Sequence, residues 1–362
     1  MKVLVVGPDR NDPGGVANYY NAVFPRLSGD GVEAYYLEIG STHGSKSRLH
    51  ILGDQLRFWK MLGRLKPDIV HLNPSLDMRS FLRDGLFVFL AKLRGFRVLV
   101  FFRGWQESFE QKVAGKLKWF FDRTYAKADR FIVLATSFSD RLVEWGINVP
   151  VELATTTVAD ELLDEFSITG KLNSFNSAVN IKLLYLARLE PKKGVLELIK
   201  GVGELLNRGD NVTLTIAGDG PAMNQACELV AALGENSQRV KIAGYVRGSE
   251  KISLLESHHI FCFPTRYGEG MPNSVLEAMA FGMSILTCPV GGLADFFEDG
   301  KMGMLLKDAS SVAIAESIAR LVGDRQGMAR IAEYNYDYAK KRFLSSIVAT
   351  ELRACYQRMQ GV

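Results

Sequence analysis

Short apolar segments alternate with longer amphipathic segments along the whole chain. In the first half, the apolar segments predict strands at residues 2–7, 32–39, 68–72, 96–102 and 130–135. In the second half, they predict strands at residues 181–187, 212–218, 239–244, 259–265 and 283–288. Helical stretches separate these strands. Strands that alternate with helices are typical of a parallel sheet, so each half predicts a doubly wound α/β domain.

A polar segment separates the two halves. Between residues 166 and 180 the apolar periodicity stops, and Ser, Asn and Gly accumulate. We therefore expect an N-terminal domain at 1–165, a linker at 166–180 and a C-terminal domain at 181–343. The last residues, 344–362, are expected to form a helix that packs back toward the N-terminal domain.

The length and composition of the chain agree with this division. A chain of 362 residues exceeds what one core usually supports, and two domains are the natural expectation. The apolar fraction of 47% and the charged fraction of 23% are ordinary for a soluble globular protein. The opening sequence MKVLVVGPD has too short an apolar run for a signal peptide, and no segment is apolar enough to span a membrane.

The four cysteines indicate a reducing compartment. Their spacing is wide and irregular, without a C-x-x-C pair, at Cys227, Cys262, Cys288 and Cys355. Such cysteines are typical of reduced thiols in a cytoplasmic protein, and they predict no metal cluster.

A candidate anion site follows the strand at 259–265, in the sequence RYGEGMPNSVLEAMAFG (266–282). Pro272 suits the first position of a helix, whose amino end presents unpaired N–H groups and a partial positive charge. The loop lies at the carboxyl end of a strand, where open α/β sheets bind ligands. Glu269 and Glu277 flank this helix start. They are either ligand-binding groups or ordinary solvated acids, and this segment alone leaves both possibilities open.

Two basic residues are expected near the same helix start. Arg188 follows the strand at 181–187, and Lys193 lies five residues further on. Two cations and a helix dipole can neutralise a diphosphate without a metal ion. The sequence contains no Asp-x-Asp pair, so a metal-assisted diphosphate site is not expected. Each cation alone would be an ordinary surface charge, but their placement together favours a site.

These motifs together resemble the retaining glycosyltransferases of family 4. The motifs are the amino-terminal strand with Gly14-Gly15-Val16, Arg188 with the KKG loop, GDGP at 218–221, GYV at 244–246, and Glu269 and Glu277 at the E-x7-E spacing. They span nearly the whole chain. The resemblance implies the GT-B fold, in which two Rossmann-like doubly wound parallel-sheet domains face each other across a cleft.

The resemblance also implies roles for individual residues. Arg188 and Lys193 would contact the donor diphosphate, Glu277 would bind the ribose hydroxyls, and Glu269 would face the transferred sugar. Further donor-binding positions are implied at Gly14, Gly15, Gly218, Tyr245, Val246, Gly270, Met271, Pro272, Asn273 and Ser274. The implied enzyme is a retaining, metal-independent hexosyltransferase without a cofactor, whose donor is a nucleoside-diphosphate sugar; UDP and GDP both remain open.

One position departs from the family pattern. The family usually carries His-Gly after the fourth strand of the amino-terminal half, whereas this chain has FFRGWQE with Arg103 in that place. A guanidinium stays protonated and cannot act as a base. Arg103 would therefore stabilise the charge on the leaving phosphate, bind an anionic acceptor, or serve only the structure.

A basic and aromatic region lies in the first half. Residues 46–130 contain 18 Lys and Arg against 8 Asp and Glu. The aromatic residues in this region include Phe58, Trp59, Phe81, Phe87, Trp105, Trp119 and Phe120, of which many are expected in the core. Basic residues among aromatics suit the surface of an anionic membrane, although a solvated basic face is the alternative. Nucleic acid is a poor partner, since the net charge is only +4 and no nucleic-acid motif appears.

The leading hypothesis is sugar transfer from a nucleoside-diphosphate donor to an acceptor hydroxyl with retention of the anomeric configuration. The expected acceptor is a lipid-linked or surface-polysaccharide glycan at the cytoplasmic face of the cell membrane. Two alternatives are a sugar-nucleotide-binding protein without turnover and a GT-B-like epimerase that acts on the sugar nucleotide alone.

Overall fold

Two compact units make up the chain. The computed structural model describes residues 1–12, 14–40, 49–268 and 270–361. Unit 1 comprises Met1–Thr157, Gly268–Met271 and Ser345–Val362. Unit 2 comprises Val158–Tyr267 and Pro272–Leu344.

Unit 1 begins with alternating strands and helices. Its strands are β1 (Lys2–Gly7), β2 (Glu33–Glu38), β3 (Ile69–Leu72), β4 (Ser75–Leu76), β5 (Arg97–Phe101), β6 (Gly104–Trp105), β7 (Arg130–Val133) and β8 (Val151–Leu153). Its helices up to this point are α1 (Gly15–Val23), α2 (Leu49–Leu65), α3 (Met78–Leu93), α4 (Glu107–Ala114), α5 (Lys118–Arg123) and α6 (Thr136–Glu144). Six strands form one parallel sheet in the order β2-β1-β3-β5-β7-β8, and β4 pairs with β6.

Unit 2 repeats the same construction. Its strands are β9 (Ile181–Leu186), β10 (Val212–Ala217), β11 (Val240–Gly244), β12 (Ile260–Phe263), β13 (Ser284–Thr287) and β14 (Gly303–Leu305). Its helices are α7 (Ile168–Ser177), α8 (Val195–Asn207), α9 (Met223–Ala231), α10 (Gly248–Ser257), α11 (Asn273–Ala280), α12 (Leu293–Phe296), α13 (Ser311–Gly323) and α14 (Arg325–Arg342). The sheet is parallel, in the order β11-β10-β9-β12-β13-β14.

The two parallel sheets confirm the predicted doubly wound α/β architecture, and all ten predicted strands are present. Their central strands are buried on both faces, as in Val3–Val6 and Ile260–Phe263, and therefore appear in sequence as continuous apolar runs. Two outer strands, β8 and β14, were not predicted. Each has three residues and lies at a sheet edge, where so short an apolar run gives little signal.

The segment predicted as a linker has a different structure. Within residues 166–180, helix α7 begins after Ser167, whose hydroxyl accepts a hydrogen bond from the Gly170 N–H. The Lys171 ammonium is 4% exposed and donates to the carbonyls of Leu255 and Glu256 at the end of α10. The polar composition of this segment reflects a helix cap and an anchoring lysine, and unit 2 begins earlier, at Val158.

The last helix, α15 (Ser345–Gln360), belongs to unit 1 and contacts α1. Arg353 forms an ion pair with Asp30 at 3.0 Å, and Arg97 donates to the Met359 carbonyl at 2.7 Å. These contacts join the end of the chain to the sheet that its first residues form.

A buried hydrogen-bond network lies between α15, α1 and the sheet of unit 1. Tyr20 donates to the Asn73 side chain at 2.7 Å, so its oxygen is the acceptor for His71 Nε2 at 3.4 Å. His71 Nδ1 then accepts from the Tyr356 hydroxyl at 2.7 Å. The network assigns one neutral tautomer to His71, and burial lowers the pKa of His71 to about 3.

We expect the protein to lose stability as the pH falls from 6.5 to 5. Burial lowers the pKa of His71 to about 3, that of His258 to about 4 and that of His259 to about 3, whereas the unfolded chain titrates near 6.5. The unfolded state therefore binds more protons in this window, and each group destabilises the fold by about 1.4 kcal/mol per pH unit.

Denaturant unfolding at pH 7, 6 and 5 measures this loss, which should reach about 2 kcal/mol between pH 7 and pH 5 for each titrating group. His71→Asn should give a shallower pH dependence than the wild-type chain because one titrating group is removed. Equal stability at pH 7 and pH 5 would contradict the burial of these three imidazoles in neutral form.

Candidate functional site

Three loops of unit 2 meet at the carboxyl edge of its sheet. The strand order places β10, β9 and β12 side by side, and all three run in parallel. Their carboxyl ends therefore lie at one edge, as the sequence predicted. Arg188 follows β9, Gly218 follows β10, and Arg266 with Tyr267 follows β12.

Backbone hydrogen bonds fix these loops to one another. The Leu189 N–H donates to the Asp219 carbonyl at 2.9 Å, which joins the loops after β9 and β10. The Arg266 N–H donates to the Lys192 carbonyl at 2.8 Å, which joins the loops after β12 and β9. The edge is thus a connected backbone framework, and its geometry does not depend on long side chains.

Glycine is required where these loops touch. A Cβ at Gly218 would lie 1.9 Å from the Ala187 carbonyl oxygen, and one at Gly194 would lie 2.2 Å from the Pro264 carbonyl oxygen. A Cβ at Gly220 would lie 2.5 Å from the Leu189 carbonyl oxygen. All three glycines also have positive φ angles, of +151°, +77° and +155° respectively. A side chain at any of them would separate the loops.

The helix that follows the β12 loop starts one residue later than predicted. Pro272 is the N-cap of α11, with φ −74° and ψ 115°, so the first helical residue is Asn273. Among the described residues, no side chain caps this end, and the first turn of α11 contains no acidic residue. The partial positive charge of the helix amino end is therefore not neutralised by its own first turn.

Glu277, one turn into α11, forms an ion pair that the sequence analysis missed. Its Oε1 lies 2.7 Å from the Lys251 ammonium of α10, and the two side chains are 13% and 24% exposed. The Lys251 ammonium donates a hydrogen bond to this carboxylate and so fixes its orientation. The sequence signal was weak, because Lys251 is one lysine in an amphipathic helix that follows the GYV motif.

The two predicted phosphate-binding cations have different surroundings. Arg188 is exposed and pairs with Glu190, with Nη1 3.2 Å from Oε1. The Lys193 ammonium is 5.4 Å from the centre of the Tyr267 ring and 5.8 Å from that of Phe263. The rings fix the position of the Lys193 cation, whereas Arg188 is held by one surface carboxylate.

Two further predicted residues border the same edge. The Gly218 N–H donates to the Gly244 carbonyl at 2.6 Å, which places Tyr245 and Val246 beside the loop after β10. The Tyr245 side chain is 70% exposed, whereas Val246 is buried. The backbone of this segment is thus anchored, and its aromatic ring is accessible to a ligand.

The remaining predicted donor-binding residues are divided between the two units. Gly14 is the N-cap of α1 and Gly15 is its first residue, with open space around both Cα atoms. Gly270 and Met271 are also assigned to unit 1, while Pro272, Asn273 and Ser274 belong to unit 2. Glu269 lies outside the described residues.

Arg103 lies at the carboxyl end of β5 in unit 1 and is 9% exposed. Its guanidinium carbon is 3.7 Å from the centre of the Tyr19 ring and 4.3 Å from that of Phe101. Arginine is rarely this buried unless it is paired, and here the guanidinium lies between two rings.

The ranges that the structure describes contain neither a cluster of metal-ligating side chains nor a helix that could cross a membrane. No group of three His, Cys, Asp or Glu side chains in these ranges has the arrangement of a metal site. Within the same ranges, no helix combines the length and the apolar character needed to cross a membrane.

Two sequence families match the chain. The family described as "Glycosyl transferase 4-like domain" matches residues 2–155, and the family described as "Glycosyl transferases group 1" matches residues 174–338. Together they account for most of the chain, and each half corresponds to one of the two parallel-sheet units.

Curated relatives are also glycosyltransferases. The alpha-D-kanosaminyltransferase of Streptomyces kanamyceticus is 28% identical over 49% of this chain and 45% of its own length. The capsular polysaccharide biosynthesis glycosyltransferase CapM of Staphylococcus aureus is 28% identical over 49% of this chain and 46% of its own length. These two matches thus span about half the length of each relative. The phosphatidyl-myo-inositol mannosyltransferase of Mycobacterium tuberculosis is 24% identical over 81% of this chain and 74% of its own length.

Solved structures share the fold across the whole chain. The sucrose-phosphate synthase of Thermosynechococcus elongatus has a TM-score of 0.75 at 16% identity, covering 100% of this chain and 99% of its own. Anabaena HepE, solved in complex with UDP and glucose, has a TM-score of 0.72 at 16% identity, covering 99% of both chains. From the two family matches, the curated relatives and this shared fold, the chain belongs to the family-4-like glycosyltransferases with the GT-B fold.

Proposed function

We propose that the protein transfers a hexose from a nucleoside-diphosphate donor to an acceptor hydroxyl, with retention of the anomeric configuration and without a metal ion. The observation that carries this proposal is the carboxyl edge of the unit 2 sheet. There, Arg188 and Lys193 follow β9. The loop after the neighbouring strand, β12, leads into α11, which carries Glu277.

The charges of this edge match a nucleoside diphosphate. Arg188 and Lys193 provide two positive charges, and the amino end of α11 adds N–H donors and a partial positive charge. These groups would bind the diphosphate and stabilise the charge that develops on it as the bond to the sugar breaks. Such an arrangement needs no divalent cation.

Glu277 would bind the ribose hydroxyls of the donor. A carboxylate accepts hydrogen bonds from two neighbouring hydroxyls, and the 2.7 Å contact with Lys251 orients this one. Lys251 is therefore a positioning residue in this proposal. Glu269, together with the amides of Gly270 to Asn273, would face the transferred sugar and its phosphates.

The activities and ligands for which the relatives are named support the proposed substrate classes. Anabaena HepE has been solved with UDP and with UDP-glucose, which supports a nucleotide-sugar donor. CapM is named for capsular polysaccharide biosynthesis, and the mycobacterial relative is named a phosphatidyl-myo-inositol mannosyltransferase. We therefore propose a glycan acceptor, either lipid-linked or part of a surface polysaccharide, and we leave the base and the sugar open.

The acceptor proposal extends to peripheral contact with an anionic membrane at its cytoplasmic face. The aromatic residues do not supply the main anchors, because Phe58, Phe81, Phe87, Trp105 and Phe120 are buried in unit 1. Trp59 is stacked on Arg94, with the guanidinium carbon 3.6 Å from the ring centre, and Trp119 is exposed.

Helix α3 supplies a better candidate surface. Five of its apolar side chains are between 37% and 64% exposed, at steps of three or four residues that place them on one side of the helix. We call this set the α3 stripe, and its members are Met78, Leu82, Leu86, Phe89 and Leu93. The opposite side of α3, with Phe81 and Phe87, is buried in the core.

Basic residues accompany the α3 stripe. On the neighbouring helix α2, exposed Leu52 and Leu56 continue at the same helical spacing into exposed Lys60 and Arg64. Arg79 is exposed on α3 itself. Apolar side chains flanked by basic residues fit a surface with apolar chains below anionic headgroups.

Nucleotide release separates the proposed transferase from its alternatives. A transferase releases nucleotide rapidly only when an acceptor is present, a binding protein releases none, and an epimerase changes the sugar without needing an acceptor. Incubation with UDP- and GDP-sugars, with and without membrane glycolipids, provides this comparison. Binding of a sugar nucleotide that never leads to release, with any acceptor, would contradict the proposed transfer.

We expect Glu277→Ala to weaken nucleotide binding by about 1.5 to 3 kcal/mol, because the ribose hydroxyls lose a charged acceptor. Calorimetry with UDP and GDP measures this change. Lys251→Met should weaken binding less, since the carboxylate remains but loses its orienting partner. Glu250→Ala is the control, as an exposed acid on the same helix as Lys251. Unchanged affinity in Glu277→Ala would remove the ribose assignment.

We expect turnover to survive a chelator and to depend on two cations. Arg188→Ala and Lys193→Ala should each slow transfer by more than tenfold, about 1.4 kcal/mol in barrier height, because each removes a charge from the diphosphate site. Arg208→Ala, at an exposed arginine of the same unit, should leave the rate unchanged. Loss of activity in EDTA that magnesium restores would show that a metal ion is required.

We expect anionic vesicles to sediment the protein at low salt and to release much of it at high salt, because each surface cation contributes about 1 kcal/mol and is screened by salt. The double variant Leu86→Gln/Phe89→Gln should reduce sedimentation, since it removes two apolar anchors. Val143→Gln, which changes an exposed apolar residue on α6, is the control. Equal and negligible binding to anionic and neutral vesicles would contradict the membrane proposal.

A further inference from the structure

The backbone of Arg103 is held rigidly at the carboxyl edge of the unit 1 sheet. Its N–H donates to the Pro74 carbonyl at 2.8 Å, which ties the loop after β5 to the loop after β3. The next two residues pair with Ser75 and Leu76 in the small sheet of β4 and β6. The backbone position of Arg103 is therefore fixed, and the packing around its side chain determines the direction of that side chain.

The Arg103 side chain is almost completely enclosed. It is 9% exposed and lies between the Tyr19 and Phe101 rings, at 3.7 and 4.3 Å from their centres. Its Nε and Nη1 atoms are buried and have no hydrogen-bond partner. Buried guanidinium groups in proteins are normally paired with carboxylates or other acceptors, so these two N–H donors indicate an acceptor that comes with a ligand.

Three side chains near Arg103 carry no negative charge. His71 is neutral, as its hydrogen-bond network and its lowered pKa of about 3 both indicate. Burial raises the pKa of Tyr19 and that of Tyr20, so both phenols are neutral at physiological pH. Arg103 is hydrogen-bonded to the Tyr19 side chain, and the Glu351 carboxylate also acts on that phenol. The three neutral side chains leave the Nε and Nη1 donors of Arg103 without an acceptor.

A second arginine adds to the positive charge at this edge. Arg10 follows β1, and its guanidinium carbon is 5.3 Å from the centre of the Phe24 ring and 5.5 Å from that of Tyr36. Its Nε is also buried without a hydrogen-bond partner. Burial raises the pKa of Tyr36, and Arg10 and Arg103 both oppose this rise, so both act on the same phenol.

Tyr36 is the side chain on which both arginines act, and the glycine at the end of β1 determines its position. A Cβ at Gly7 would lie 2.3 Å from the Tyr36 hydroxyl oxygen, so glycine at the end of β1 lets the phenol cross over the strand. The Tyr36 hydroxyl donates to the Pro8 carbonyl at 2.9 Å. Asp9 and Glu38 also act on Tyr36 and raise its pKa. Arg103 is the more buried of the two arginines.

We propose that Arg103, assisted by Arg10, binds a carboxylate or phosphate group carried by the acceptor sugar. The proposal rests on the transferase function proposed above and specifies its acceptor as an anionic glycan. The donor diphosphate is not the expected partner, because Arg188, Lys193 and the amino end of α11 already match its charge within unit 2. A planar guanidinium also suits two-point binding of a carboxylate or phosphate.

Three methyl glycosides that differ in one group test this assignment. They are methyl α-glucopyranoside, the corresponding methyl glucuronoside, and methyl α-glucopyranoside 6-phosphate. Ligand-observed NMR titrations with the full chain measure the affinity of each probe. The wild-type protein should bind at least one anionic probe tenfold or more tightly than the neutral glycoside.

Two variants and a control locate the effect. In Arg103→Gln, the preference for the anionic probe should fall to within about twofold, and in Arg10→Gln it should fall part of the way. Lys127→Gln, which removes an exposed charge elsewhere in unit 1, should keep the full preference. Arg103→Lys should keep only part of it, since a lysine ammonium lacks the planar pair of donors.

Nucleotide affinity, measured on the same samples, separates this proposal from the proposed function. Arg103→Gln should leave UDP and GDP binding unchanged and should melt as cooperatively as the wild-type chain. A wild-type protein without preference for the anionic probes, whether it binds all three or none, would overturn the anionic acceptor and leave the transferase proposal standing. An Arg103→Gln variant that loses nucleotide affinity while keeping the sugar preference would assign Arg103 to the donor phosphates.

If Arg103→Gln does not fold, Arg10→Gln and Arg103→Lys provide the same comparison.

Discussion

The close approach of loop backbones at the carboxyl edge of unit 2 is the constraint on which the candidate donor site depends. Carbonyl oxygens of Ala187, Leu189 and Pro264 occupy the space where side chains at Gly218, Gly220 and Gly194 would begin. The loops after β9, β10 and β12 can therefore share hydrogen bonds. This contact fixes the start of each loop, and with it the positions of Arg188, Lys193 and the segment that leads to α11.

The charged side chains at the two sheet edges differ in their burial and in their partners. In unit 2, Arg188 and Lys193, the proposed diphosphate-binding cations, are near the surface, and Glu277 pairs with Lys251 at 2.7 Å. In unit 1, Arg103 is buried between aromatic rings, and its histidine neighbour is held neutral by Tyr20 and Tyr356. Stacking on rings lowers the cost of burying the guanidinium but leaves hydrogen-bond donors unpaired. These unpaired donors are the basis of the proposed anion site at the unit 1 edge.

Helix α3 has apolar side chains both on its buried side and on its exposed side. Phe81 and Phe87 are fully buried, and a Cβ at Gly85 would lie 2.5 Å from the Phe120 ring, so one side of the helix packs tightly in unit 1. The other side carries the α3 stripe, which is exposed. A helix that is apolar on both sides but covered on only one leaves an apolar surface, which is a feature of proteins that bind partners or membranes.

The sequence by itself determined the two parallel-sheet units and the strand ends at which ligands bind, because parallel strands buried on both faces appear as continuous apolar runs. Arg188 and Lys193 were found from their places after such a strand, and Gly218 and Arg103 were singled out by the resemblance to the family 4 glycosyltransferases. Tertiary structure alone decided the Lys251–Glu277 pair, the burial of Arg103 and the contact of Tyr356 with His71, 285 residues away in sequence. It also decided which apolar side of α3 is covered. Periodicity shows that a face is apolar, but only the packing of distant segments decides what covers that face and which charges meet.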